Sequence, residues 1–407
     1  MAEIVGFRAI RPTRDKVHLV ATRPYYTYKP NVLKAKIEDN PYTFLHIINP
    51  EFGQSIKTKP NSNERFEHVK ELYHRFLAEG TLIQDNEECL YVYRQSNKAF
   101  SSIGVIAGSS VEEYDCGKIK KHEATLTTRE EMFTRYLDVV GFNAEPVLLT
   151  YTKHSGIEEF LDKVILGRSE YEFSTTDRVK HELWRLSKEL SLELIALFKE
   201  VDSTYIADGH HRTASSARLH HTKGQGDKES PTAYFLSFLV QESQVEILEF
   251  NRLVKSLNKL SPEEFCDKLQ EVGVLKPMKG VSKPTKEHEF VVILKDSVFT
   301  FTPYEQHIQK DHPVKALDAE ILTQLILAPI LGIEDLKTSD EIEFSPGNEP
   351  LHAVIDKVKS GKYHVGFLLF PATIQQVKKV ADNGMHMPPK STWVEPKLRS
   401  GLTIYPI

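Results

Sequence analysis

Six consecutive residues, Asp208-Gly209-His210-His211-Arg212-Thr213, follow the short apolar stretch Tyr205–Ala207. An apolar strand, a glycine turn and a helix start in that order make a place for an anion. The first N–H groups of a helix have no intrahelical acceptor, and the helix dipole is positive at that end. Gly209 lets the backbone come close to a ligand. Arg212 can grip two phosphate oxygens with one guanidinium. His210, His211 and Thr213 add donors. Asp208 is the local carboxylate, able to accept a proton or to hold Mg²⁺. Two histidines adjacent in a helix diverge by about 100°, which argues against both ligating one ion.

Two further segments carry reactive side chains. Lys120-Lys121-His122-Glu123-Ala124-Thr125 puts a cation, a base, an acid and a hydroxyl within six residues, after the turn Tyr114–Gly117. In Pro388-Pro389-Lys390-Ser391-Thr392 two prolines stiffen the backbone before a cation and two hydroxyls. Each alone reads more often as a charged loop or a plain turn than as a site. We take Asp208, Glu123 and His122 as candidate catalytic groups. Gly209, His210, His211, Arg212, Thr213, Lys121, Lys390, Ser391 and Thr392 are candidates for phosphate or nucleotide binding, and Asp208 is the candidate Mg²⁺ ligand.

The elements that would position these groups follow from periodicity. Residues 64–79 place Phe66, Val69, Leu72, Tyr73 and Phe76 at helical spacing, with Gly80 as the stop. Leu90–Arg94 and Ser102–Ala107 predict a hairpin, and Glu145–Tyr151 and Phe44–Ile48 predict strands. His181–Leu186 precedes a helix over Glu189–Val201. Tyr234–Val240 and Val245–Leu253 are expected to pair as a hairpin. Ser261-Pro262-Glu263-Glu264 is a helix-start signature. Phe290–Leu294 and Val298–Thr302 predict another hairpin, and Val365–Phe370 a strand before a helix at Ile374–Val380. The expected organisation is a core over 1–255, a small α/β insert or second domain over 256–345, and a C-terminal segment, 346–407, returning to the active site.

Composition narrows the function classes. The 407 residues carry a formal net charge of −5, which argues against a non-specific nucleic-acid binder. Cys89, Cys116 and Cys266 are odd in number and far apart, so neither a zinc ribbon nor a disulfide framework is expected. No apolar run reaches the roughly 20 residues of a membrane span, and a soluble cytoplasmic protein is the expectation. Walker, dinucleotide-binding and nucleophile-elbow motifs are absent from the sequence.

One resemblance covers nearly the whole chain. The ordered strings Phe44-Leu45-His46, Tyr91–Gln95, Gly117–Glu123, His181–Trp184, Ile206–Arg212, Met387–Thr392 and Pro396-Lys397-Leu398 resemble a widespread bacterial family labelled as a domain of unknown function. The Asp-Gly-His-His-Arg box is the most specific of them. That family looks like a distant branch of the ParB/sulfiredoxin-like fold, which also includes archaeal free-serine kinases. The resemblance implies an α+β protein with a ParB/sulfiredoxin-like mixed-sheet core and an additional small α/β domain. It also implies nucleotide phosphates held at Gly209–Arg212. The activity it implies is phosphoryl transfer between L-serine and O-phospho-L-serine, with ATP, ADP or pyrophosphate as donor and Mg²⁺ as cofactor. A phosphoserine phosphatase or phosphotransferase is the same site run the other way. A ParB-like nucleotide-binding regulator or DNA-binding protein is the alternative from another class, which a gel shift at low salt would separate from the enzymes.

Overall fold

A computed structural model describes residues 2–55 and 57–407. The chain divides into two compact units. The first comprises Met1–Lys121, Thr125–Val245 and Pro396–Ile407; the second comprises His122–Ala124 and Glu246–Glu395. The second unit therefore takes in all of 256–345 and most of the segment after it.

The architecture is α+β. Among the described residues, nine strands form the large sheet of the first unit. Its order is Ile119–Lys120, Thr204–Asp208, Val147–Tyr151, Tyr234–Gln241, Ser101–Ser110, Tyr91–Ser96, Lys180–Arg185 and Tyr171–Ser174, with Ile4–Val5 added alongside Ser101–Ser110. The sheet is mixed. Tyr234–Gln241 runs parallel to Val147–Tyr151, and Thr204–Asp208 runs parallel to Ile119–Lys120, whereas the other pairs are antiparallel. Central strands are apolar on both faces: Val147–Tyr151 is buried at every position, as a strand covered on both sides must be. The hairpin expected around residues 97–100 is present, with Tyr91 opposite Ile106 and Ser96 opposite Ser101.

Helix starts follow their caps. The helix Asn63–Ala78 begins where the Ser62 side chain accepts from the Arg65 N–H at 3.3 Å, and it ends before Gly80 at φ 66°. The helix Pro262–Val272 has a reciprocal cap: Ser261 accepts from the Glu264 N–H, and Glu264 accepts from the Ser261 N–H at 2.8 Å. In the second unit a six-stranded antiparallel sheet runs Gly273–Pro277, Val298–Pro303, Phe290–Ile293, Val365–Leu368, Phe250–Val254 and Ile342–Pro346. Its core includes Phe265, Leu269, Phe290, Phe301 and Phe367.

Two expectations are corrected. Phe44–Ile48 is not a strand: Leu45–Ile48 forms one helical turn, with Phe44, Leu45 and Ile47 buried. Nor do Tyr234–Val240 and Val245–Leu253 pair with each other. Tyr234–Gln241 lies in the large sheet, Glu246–Leu248 pairs with Trp393–Glu395, and Phe250–Val254 enters the six-stranded sheet. No helix among the described residues is long and apolar enough to cross a membrane.

His181, on the Lys180–Arg185 strand, is fully buried. Its Nδ1 is 2.7 Å from the Tyr93 hydroxyl and its Nε2 is 3.1 Å from Thr175 Oγ1. Burial, reinforced by the nearby Arg399 guanidinium, pushes its pKa down to about 3. The imidazole is thus neutral in the folded protein, while the unfolded chain takes up a proton below about pH 6.5. Between those values the unfolded state binds more protons, so stability falls as pH falls. Denaturant melts from pH 7 to pH 4 should show a loss on the order of a few kcal/mol that His181→Gln lacks. Equal pH slopes in the two proteins would remove His181 as the cause.

Candidate functional site

The strand Thr204–Asp208 is buried until its last residue, and its pairing with Val147–Tyr151 slips between Ile206 and Asp208. Gly209 follows at φ 108°, ψ 26°, and the helix His210–Leu219 starts on the next residue. No side chain caps that helix. The positive φ is costly for any residue with a Cβ, and a Cβ at Gly209 would also meet the Arg212 guanidinium at 3.1 Å. We expect Gly209→Ala to destabilise the protein by about 1–3 kcal/mol and to move the Arg212 side chain. Gly141→Ala is the control, because its φ is 75° and nothing lies within 4 Å. A Gly209→Ala melting temperature equal to wild type would show that the backbone there is unconstrained.

Four charged side chains meet at this helix start. Arg212 donates from Nη2 to Asp208 Oδ2 at 2.7 Å and from Nη1 to the Pro146 carbonyl at 2.6 Å. Its Nη1 also lies 3.9 Å from Glu145 Oε2. Lys397 Nζ approaches Asp208 Oδ1 at 3.5 Å. Glu145 Oε1 accepts from the buried Ser400 hydroxyl at 2.9 Å. Burial alone would raise the Asp208 pKa, but Lys397 and Arg212 outweigh it and hold the carboxyl below the ordinary aspartate range. Asp208 keeps 34 % of its side chain accessible, against 23 % for Arg212 and 13 % for Lys397. The group is therefore an ionised carboxylate clasped by two cations, and all three remain reachable from solvent.

This arrangement revises the roles expected of Asp208 and Arg212. Asp208 was expected to accept a proton or to hold Mg²⁺; here its charge is offset by Arg212 and Lys397. Mg²⁺ requires oxygen ligands at about 2.0–2.1 Å in octahedral geometry. Each Asp208 oxygen already faces a cation, so a dication there would be repelled, and Asp208 does not fit as the Mg²⁺ ligand. Nor is the Arg212 fork held open toward a ligand: it already spans a carboxylate and a carbonyl.

The remaining candidates fall in both units. In the first, His210 is buried in the opening turn of the helix and His211 is half-buried. Thr213 donates its hydroxyl to the Gly209 carbonyl at 3.2 Å, within the helix. Lys121 sits over the Tyr114 ring at 4.9 Å. In the second, His122 is buried, its carbonyl accepting from the Met387 N–H at 2.8 Å, and Glu123 is half-buried. Lys390 has φ 53° and lies over the Phe250 ring at 5.6 Å. Ser391 is buried and donates to the Pro388 carbonyl at 2.7 Å, closing the turn; Thr392 is half-buried.

Two residues of the cluster, Glu145 and Lys397, were not singled out for chemistry in the sequence. Lys397 lay in one of the strings that carry the family resemblance, which was the available signal. Glu145 was read only as the start of a strand. His181 and Glu182, from another such string, serve the sheet: Glu182 receives both forks of Arg94 at 2.8 Å.

A family model described as a protein of unknown function, DUF1015, matches residues 4–320. The chain belongs to the DUF1015 family. No curated protein matches the sequence. Solved structures with similarity include a free serine kinase in complex with AMP, at 14 % identity and TM-score 0.37, covering 74 % of this chain and 91 % of that one. SbnI from Staphylococcus aureus, with a C-terminal truncation, follows at 13 % and 0.38, covering 73 % and 85 %. A conserved hypothetical protein from Pyrococcus furiosus stands at 15 % and 0.33, covering 72 % and 91 %. These likenesses are remote.

Proposed function

We propose that this DUF1015 protein is a phosphoryl-transfer enzyme interconverting L-serine and O-phospho-L-serine, with ATP, ADP or pyrophosphate as phosphoryl donor. The observation that carries the reading is the convergence of Arg212 and Lys397 on Asp208 at the helix start after Gly209. Phosphoryl transfer asks for positioning and charge neutralisation more than for covalent chemistry. A phosphate entering here competes with Asp208 for both cations. Once it takes them, the carboxylate loses its partners and becomes a stronger base, beside the phosphate they now hold. Asp208 then accepts the serine hydroxyl proton as the oxygen attacks phosphorus and the donor's bridging oxygen leaves. The choice of serine comes from the resemblance of the box Asp208–Arg212 and its companion strings to the branch that includes free-serine kinases.

The decisive experiment is phosphorus NMR of the purified protein with L-serine and each of the three donors, and with O-phospho-L-serine and each acceptor. One site stabilises one transition state in both directions, so either direction suffices. Formation of O-phospho-L-serine, or its donor-dependent loss, is the expected result. No turnover in either direction with any donor would overturn the reading.

A further inference from the structure

Glu145 uses one carboxylate oxygen and leaves the other open. It stands two residues before the strand Val147–Tyr151. Its Oε1 accepts from the buried Ser400 hydroxyl at 2.9 Å. Its Oε2 lies 3.9 Å from Arg212 Nη1, in ion-pair range but beyond a hydrogen bond. That Nη1 is turned to the Pro146 carbonyl at 2.6 Å. No group among the described residues donates to Oε2, and the oxygen is not buried; 31 % of the side chain is accessible.

The open oxygen is also held in direction. Ser400 donates its N–H to the Thr22 carbonyl at 2.7 Å and accepts the Thr22 N–H at 3.1 Å. The next residue, Gly401, donates its N–H to the Ala144 carbonyl at 3.2 Å. A carboxylate fixed through one oxygen on such a support presents the other at a set position, as a recognition group must.

Charge decides the partner. In the unliganded protein Arg212 and Lys397 balance Asp208 and Glu145. A phosphate drawn onto the two cations adds negative charge of its own and takes the cations from both carboxylates. A positive charge on the second substrate restores the balance, and Glu145 Oε2 is the oxygen open to it. We infer that Glu145 receives the ammonium of the phosphoryl acceptor and so restricts acceptors to small amino alcohols, serine among them. Asp208 and Glu145 face the two ends of one guanidinium fork, Nη2 and Nη1. A molecule with its hydroxyl and amine on neighbouring carbons therefore reaches both. A hydroxy acid without the amine brings a carboxylate and no cation to offset it. The assignment rests on the phosphoryl-transfer reading, to which it adds the group that recognises the acceptor.

Titration calorimetry of the full chain in inorganic phosphate tests the contact without turnover. The ligands are L-serine, ethanolamine, which lacks serine's carboxylate, and 3-hydroxypropionate, which lacks its amine. Serine and ethanolamine are expected to bind. 3-Hydroxypropionate should bind at least about tenfold more weakly than serine, as loss of a charge-assisted contact implies. Glu145→Gln keeps an oxygen for the Ser400 hydroxyl and removes the charge. It should melt close to wild type, since the part-exposed pair with Arg212 contributes little. Its affinity for serine and ethanolamine should fall at least about tenfold, with that for 3-hydroxypropionate no weaker. A merely structural glutamate would weaken all three ligands together or none. Four outcomes overturn the assignment: no heat with either amine in wild type, undiminished amine binding in Glu145→Gln, a uniform loss of all three ligands, or 3-hydroxypropionate binding as tightly as serine. The phosphorus NMR experiment fails separately. A chain that binds both amines through Glu145 and forms no O-phospho-L-serine loses the phosphoryl-transfer reading and keeps this contact.

Discussion

Arg212→Ala is expected to weaken binding of ATP or pyrophosphate on the order of 10- to 100-fold, the effect of removing a charge-assisted contact to phosphate. In the unliganded protein the same guanidinium binds Asp208 and the Pro146 carbonyl, so the substitution also removes a brace between the helix start and the neighbouring chain. Binding and stability have to be read separately. Lys397 still partners Asp208 in the variant, so the carboxylate is not stranded, and the fold should survive with a lowered melting temperature. Arg212→Lys sharpens the result. It keeps the charge but loses the fork, so binding should fall between wild type and alanine. If calorimetry gives Arg212→Ala the wild-type affinity for each donor, Arg212 is a brace and nothing more.

What could be read from the sequence divides along locality. The hairpin Tyr91–Ser96 with Ser101–Ser110 was legible because its partners are neighbours and its strands end in turn residues. The helix start at Ser261 was legible because a cap is a contact over three residues. Phe44–Ile48 was misread because a run of five mostly apolar residues is too short to separate a period of 2 from one of 3.6. The Val245–Leu253 hairpin failed for another reason. Its first half pairs with Trp393–Glu395 and its second with Ile342–Pro346, partners that no local pattern announces.

The candidate site follows the same division. Asp208 and Arg212 sit one helical turn apart, so their meeting was implicit in the spacing. That they would be joined by Lys397 and Glu145 was not, because those residues arrive from separate stretches of chain. Nor was the burial of Arg252 legible. In Phe250-Asn251-Arg252-Leu253-Val254 the arginine shares its face with Phe250 and Val254, but a charged side chain is seldom fully buried, so nothing local marked it as core, yet every residue of that strand is buried.

Asp208→Asn separates the two meanings the cluster can have. The carboxylate is ionised and held by Lys397 and Arg212. If its work is structural, the amide keeps a hydrogen bond to Arg212 but loses both ion pairs. The cost is then modest, given the part-exposed setting, and turnover follows the folded fraction. If its work is to accept the hydroxyl proton, the amide cannot do it, and kcat should fall by at least about 10²-fold, the scale of a lost general base. The donor's affinity moves the other way. With the negative charge gone, Arg212 and Lys397 no longer have to be taken from a carboxylate, and the repulsion between Asp208 and the incoming phosphate disappears. ATP or pyrophosphate should therefore bind Asp208→Asn at least as tightly as wild type, even as turnover collapses. That split is the signature of the proposed competition, and a purely structural aspartate cannot produce it. Near-wild-type kcat in a variant that binds donor normally would remove Asp208 from the chemistry, and weaker donor binding would show that Asp208 orders the two cations for phosphate rather than competing with it.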